Sequence, residues 1–307
     1  MTREREGVLF CITAATAYSV TAIFAKLAYA AGVNVVTLLT VRYLIAAFIF
    51  WLLIPRFGGG LPPRATITRG LLLGMVFQAS QTWLFGTALT RIDAALGILL
   101  LYAYPAMVTI GAALIGRERL NKRRVFALVF ATTGVVLVVS GPHRGGHDLV
   151  GILLALGAAF VYTCTLLTSH AILRAVQPLT LAGLVATGAA ITFTTVGLAS
   201  GGLRFDFAPW GWLPIIGLAL CASVLATVAN YAGMTRVGPT IASILGTLEI
   251  PLGVVMATII LGERLGPVQV VGGLLVLSAI VLLQFRRVQS RAVIAHPQPL
   301  PTREGGR

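Results

Sequence analysis

Apolar residues in this chain run in stretches of about twenty, the length an α-helix needs to cross the hydrocarbon of a bilayer. The stretches fall at approximately 8–30, 36–54, 70–89, 94–115, 124–140, 149–169, 179–200, 212–234, 239–261 and 267–285. Polar, glycine and proline segments separate them. "PRFGGGLPPR" divides the second from the third, "GRERLNKRR" the fourth from the fifth, and "GPHRGGHD" the fifth from the sixth. The pattern predicts an all-α integral membrane protein with ten transmembrane helices.

Composition agrees. Of 307 residues, 57% are hydrophobic and only 10% charged, with a mean hydropathy of +0.93. A soluble domain carries about 25% charged residues. The net charge of +14 would ordinarily raise nucleic acid as a partner. Here the basic residues form short clusters between apolar runs, so the lipid bilayer is the partner they read and nucleic acid is excluded. With both termini on one side, the segments on that side hold 17 of the 23 lysines and arginines and the opposite loops 4, Lys26 and Arg42 lying within spans. The positive-inside rule then places both termini in the cytoplasm and the chain in the cytoplasmic membrane. The first apolar run continues to about Ala31, long enough to span and so read as a first helix rather than a signal peptide. Cys11, Cys164 and Cys221 are far apart within apolar runs, and no histidine has a partner at ligand spacing. Neither a metal, nor a redox pair, nor any other cofactor is expected.

The chain also repeats. "GVLFCITAATAYSVT" (7–21) matches "GILLALGAAFVYTCT" (151–165) at six of fifteen positions, and "YPAMVTIGAALIGRERL" (104–120) parallels "IPLGVVMATIILGERL" (250–265). The unit is about 145 residues: 1–145, then 146–285, with 286–307 left as a disordered basic cytoplasmic tail. Five spans per unit is an odd number, so the second copy sits upside down relative to the first. Inverted five-helix repeats are a signature of secondary transporters. The Gly…Ala-Ala…Tyr pattern of the first span, Arg42 in the second, and Pro…Leu-Gly-Glu-Arg-Leu near the end of each half resemble the EamA-type permeases of the drug/metabolite transporter superfamily. The resemblance covers residues 7 to 285. It departs at Ile250, which separates Glu249 from Pro251, and at the first-half counterpart, where Tyr104 precedes Pro105 and no acid is present. It implies a ten-helix inverted repeat around a central cavity that carries small metabolites, often outward.

Glu249 lies near mid-membrane in the ninth run. An ionised carboxylate there costs several kcal/mol unless it is paired, solvated or protonated. Pro251 frees the carbonyl of Thr247 one turn away, and Pro105 does the same for Leu101 in the other half. Two broken helices at matched positions point to a midplane substrate site. Gln78 and Gln81 in the third span, Asn230 in the eighth, Tyr102, and the matched pair Tyr18 and Tyr162 are further substrate-binding candidates. Each also serves as interhelical packing on the bland reading. Arg42 and Lys26 are deep cations that could enter ion pairs. Lys26 is long enough to snorkel, whereas Arg42 could hold an anionic group or meet Asp93. Glu118 and Glu263 close their runs as turn and N-cap residues.

No nucleotide-binding loop, nucleophile elbow, zinc helix or paired carboxylates occurs, so a membrane-embedded enzyme has no visible catalytic constellation. The expectation is a secondary transporter for small neutral or zwitterionic solutes such as amino acids, exporting by alternating access. An uptake permease for sugars or other metabolites stays open. Proton exchange at Glu249 would couple transport to protons, and the lack of a second deep acid fits a facilitator or exchanger equally.

Overall fold

The computed structural model describes residues 3–58, 62–104, 106–107, 110, 122–140, 148–172 and 176–295. All regular structure among them is helical. In order the helices are α1 (Arg3–Ser19), α2 (Thr21–Ala30), α3 (Val35–Phe57), α4 (Arg64–Leu72), α5 (Ala79–Leu89), α6 (Ala94–Leu101), α7 (Lys122–Ser140), α8 (Leu149–Ile172), α9 (Pro178–Ala199), α10 (Trp212–Gly217), α11 (Ala226–Gly246), α12 (Glu249–Leu261) and α13 (Pro267–Ala295). Four stretches are long and apolar enough to cross a membrane: Arg3–Ala30, Val35–Phe57, Leu179–Ala199 and Pro209–Asn230. Shorter apolar helices lie at Leu128–Ser140, Leu149–Thr165, Glu249–Leu261 and Pro267–Leu282. Large apolar side chains point outward, with Leu213 and Ile259 both 76% exposed. Water would penalise such a surface and lipid solvates it.

Local chemistry sets several boundaries. Asn34 caps α3 by accepting the Thr37 amide at 2.8 Å, the preferred N-cap arrangement. Asp148 accepts the Gly151 amide at 2.9 Å at the start of α8 and meets Arg91 at 3.1 Å. That amide first, then Arg91, holds its carboxyl below the usual range. Two boundaries differ from the sequence reading. α11 runs unbroken through 235–238, where a loop was expected, and Arg236 lies exposed on it. Its Nη1 donates to the Ala232 carbonyl at 2.8 Å and its Nε lies 3.8 Å from Glu6. α13 continues past 285 to Ala295, so the first part of the expected disordered tail is helical; arginine and glutamine there are good helix formers. Residues 296–307 lie outside the described residues, as do Pro105, Glu118, His143 and His147.

The principal packing is between halves of the chain. α1 lies on α11 and α8 on α5; α3 lies on α9, α7 on α13, and α6 on α12. Exchanging each helix for its counterpart in the other half leaves this set unchanged. π-helical turns interrupt corresponding helices at Leu73–Gln78 and Leu218–Leu225, their first residues 145 positions apart. Helices break at matching places too: α6 ends in a turn at Tyr102–Ala103, and α11 gives way to α12 at Thr247–Leu248. The core between them is rich in small residues, Ala22, Ala28, Ala94, Ala95, Ala155 and Ala158 among them. Small side chains let helices approach where lipid supplies no hydrophobic drive.

Glu263 closes the α12–α13 connection, as the sequence suggested, but caps a helix of the other half. Its two carboxylate oxygens accept the Ala94 and Ala95 amides of α6 at 2.7 and 2.9 Å. Burial lifts this carboxyl above its ordinary range against the pull of those two amides. Lys26 lies within the electrostatic reach of Glu263 and Asp93. Replacing Glu263 by alanine orphans both buried donors and is expected to destabilise the purified protein by about 2 kcal/mol or more. Thermal unfolding in detergent measures it; an unchanged midpoint would show that the cap contributes nothing.

Candidate functional site

α12 begins at Glu249, directly after the break at Thr247–Leu248. This resolves the pairing of an acid with a proline. Glu249 occupies the first turn, where the helix dipole favours a negative charge. Pro251, two residues on, falls where backbone amides have no intrahelical partner in any case. The Thr247 carbonyl, which the sequence reading left free, instead accepts the Ile250 amide at 3.2 Å. Across from this break, the α6 break presents Tyr102, whose hydroxyl donates to Glu249 Oε2 at 2.5 Å.

These two breaks form one wall of a cavity of about 370 Å³. It is lined by Tyr18, Thr21, Arg42, Tyr43, Gln78, Gln81, Thr82, Tyr102, Tyr104, Tyr162, Thr165, Ser223, Thr227 and Glu249, with an apolar wall that includes Phe50, Leu73, Phe85, Ile98 and Leu101. Near Glu249, Tyr104 packs edge-on against Tyr162 at 4.8 Å between ring centroids and tilted against Tyr102 at 5.6 Å. Elsewhere in the lining, Gln78 donates to the Tyr43 hydroxyl at 3.0 Å, to Thr82 at 3.1 Å and to Gln81 Oε1 at 3.2 Å. Arg42 Nε donates to Ser223 Oγ at 2.8 Å, and its guanidinium carbon stands 5.2 Å from the centre of the Tyr43 ring. Tyr18 and Thr227 share a hydrogen bond at 3.2 Å.

Of the residues singled out from sequence, Glu249, Gln78, Gln81, Tyr102, Tyr18, Tyr162 and Arg42 meet in this cavity. Asn230 and Lys26 are not among its lining residues. Each π turn bonds i to i+5 and accommodates an extra residue, which rotates the helix face beyond it. Around the second π turn the polar lining positions are Ser223, inside the turn, and Thr227, at the start of α11; Asn230 is not among them. Arg42 meets Ser223 rather than Asp93, and Lys26 belongs to the charge cluster around Glu263.

Sequence reasoning missed Thr21, Tyr43, Thr82, Tyr104, Thr165, Ser223 and Thr227 as lining groups. The repeat contained the signal for most of them. A shift of about 145 positions carries Gln78 onto Ser223, Thr82 onto Thr227, and Tyr104 onto Glu249. Tyr18 and Thr21 likewise correspond to Tyr162 and Thr165. Five pairs of polar lining positions thus correspond between the halves, with Glu249 standing where the first half has Tyr104, while Arg42, Tyr43, Gln81 and Tyr102 have no lining counterpart. Among the described residues no group of three or more histidines, cysteines or acids could hold a metal ion.

Comparison with known proteins accords with this arrangement. The model of the EamA-like transporter family matches the chain twice, at residues 5–140 and 149–285. The "Uncharacterized transporter YcbK" of Bacillus subtilis (strain 168) is 23% identical over 295 residues, spanning 92% of this chain and 94% of its own. A solved crystal structure superposes with a TM-score of 0.63 at 17% identity, over 91% of this chain and 98% of its own; it speaks for the fold alone. The chain belongs to the EamA-like transporter family.

Proposed function

We propose that this member of the EamA-like transporter family carries small neutral or zwitterionic, amino-acid-like solutes outward by alternating access at the Glu249 cavity. That it is a membrane transporter rather than an enzyme follows from the family; the solute, direction and mechanism are our reading. The observation that carries it is the meeting of two broken helices, one from each half, at a polar cavity inside an apolar bundle. Broken helices at matched positions are how carriers build a midplane site.

On this reading the protein has ten spans in two inverted five-helix repeats, 1–145 and 146–285, with both termini cytoplasmic in the cytoplasmic membrane. The double family match, the exchange-symmetric packing and the matched π turns support the repeat. Rocking one half against the other would slide the paired interfaces α3–α9 and α7–α13 and open the cavity to each side in turn. Glu249 would carry a coupling proton when the solute is absent. A facilitator or exchanger and an uptake permease for sugars or other metabolites are the alternatives, and solute distribution separates them.

The test compares metabolites inside and outside bacteria that produce the chain with bacteria that do not. A small zwitterion depleted inside and enriched outside only in producing cells is the expected result. The same solute enriched inside would reverse the direction. A shifted sugar or phosphate ester with no shifted zwitterion would overturn the substrate assignment.

A further inference from the structure

Arg42 and Glu249 enter one cavity from opposite halves of the chain, and each keeps unused hydrogen-bonding capacity there. Arg42 spends Nε on Ser223; among the described residues its two terminal nitrogens have no hydrogen-bond partner and no acid within salt-bridge distance. Ser223, having accepted from Arg42, still has its own hydroxyl proton to donate. Glu249 uses one carboxylate oxygen for Tyr102, and among the described residues no cation reaches the other. The two charges are not paired with one another, although they line the same 370 Å³ space.

A guanidinium fork with two open donors matches a carboxylate in bidentate fashion. An open carboxylate oxygen among three tyrosine rings matches an ammonium, which the oxygen attracts directly and the ring faces attract through their quadrupoles. An anion alone would leave a deprotonated Glu249 uncompensated away from bulk water, a cation alone would leave Arg42, and an uncharged solute would leave Arg42 and a Glu249 that has given up its proton. A polyanion would be repelled by Glu249.

We infer that the cavity recognises an α-amino acid of apolar side chain at two points and in one orientation. Its carboxylate lies on Arg42 and Ser223, its ammonium on Glu249 amid Tyr102, Tyr104 and Tyr162, and its side chain against Phe50, Phe85 and Leu101. This rests on the transporter reading above and deepens it from a solute class to a binding pose. The volume suits one such molecule with accompanying water. Crossed anchoring also ties the halves together. Arg42 is in the first half and Ser223 in the second; Glu249 is in the second and its tyrosine ring draws on both. Only a ligand with both charges bridges the two anchors.

The experiment measures binding by purified protein in lipid nanodiscs to the apolar L-amino acids, each offered as the free amino acid, its primary amide and its N-acetyl derivative. The amide lacks the anion and the N-acetyl derivative lacks the cation. At least one amino acid is expected to bind, with both derivatives weaker by about tenfold or more, since a site built for a charged group rejects the analogue without it. Arg42→Gln should erase the discrimination against the amide and keep that against the N-acetyl form. Glu249→Gln should do the reverse. Should Arg42→Gln fail to give a monodisperse protein, Ser223→Ala reads the same end of the cavity. The inference is overturned if no amino acid binds, if either derivative binds as tightly as its parent, or if each variant changes both discriminations alike. A protein that shifts some other solute in cells, yet binds no amino acid here, loses this pose and keeps its transport function.

Discussion

Glu249→Gln is expected to insert and fold as the wild type does and to lose about a hundredfold in flux of the carried solute. Glutamine has the same shape and still accepts the Tyr102 hydroxyl through its amide oxygen, so the contact that joins the α6 and α12 breaks survives. The negative charge does not. A hydrogen bond to a charged group contributes up to about 3 kcal/mol, which is roughly a hundredfold in an equilibrium or rate. Any proton exchanged at this carboxylate is lost with it. Uptake or release by vesicles, normalised to inserted protein, gives the answer. Full flux with the glutamine would reduce Glu249 to a packing group that hydrogen-bonds Tyr102 and nothing more.

The second large effect concerns packing. At the α7–α13 crossing, a Cβ on Gly272 would stand 2.7 Å from the Gly134 carbonyl oxygen and 2.8 Å from the Val138 amide nitrogen. Both are backbone atoms and cannot rotate away. The next residue differs: a Cβ on Gly273 meets only the methyl carbons of Leu99, at 3.3 and 3.6 Å. Gly272→Ala is therefore expected to destabilise the protein by about 2 kcal/mol through forced separation of the helices. Gly273→Ala should be neutral or stabilising, since alanine gains up to about 1 kcal/mol over glycine within a helix. Paired melting curves read both. Equal midpoints for the two variants would mean that the crossing is not the tight one described, and with it would go an interface that the proposed rocking needs.

The apolar runs revealed a membrane bundle because lipid allows few alternatives to the helix. The repeated Tyr and Pro blocks marked off two stretches that the family model also matches separately. The π turns were hidden, since a bond from i to i+5 leaves no residue signature. Tyr43 was passed over because it follows Arg42 directly. Neighbours on a helix point about 100° apart, yet both line the one cavity. Glu249 and Arg42 were conspicuous as charges in apolar runs. That they share a space could not be read from the chain, because they come from helices that are distant in sequence. Glu263 was recognisable as a cap, but its target, α6, is chosen by tertiary packing.

The central claim is that the cavity holding Glu249 and Arg42 opens alternately to each face of the membrane. A single cysteine at Thr227, in a background with Cys11, Cys164 and Cys221 replaced, tests it in reconstituted vesicles of known orientation. A membrane-impermeant maleimide is applied from one side or the other. Labelling from both sides, slowed by the transported solute, is the predicted result. Labelling from one side only, under every solute condition, would contradict alternating access at this site.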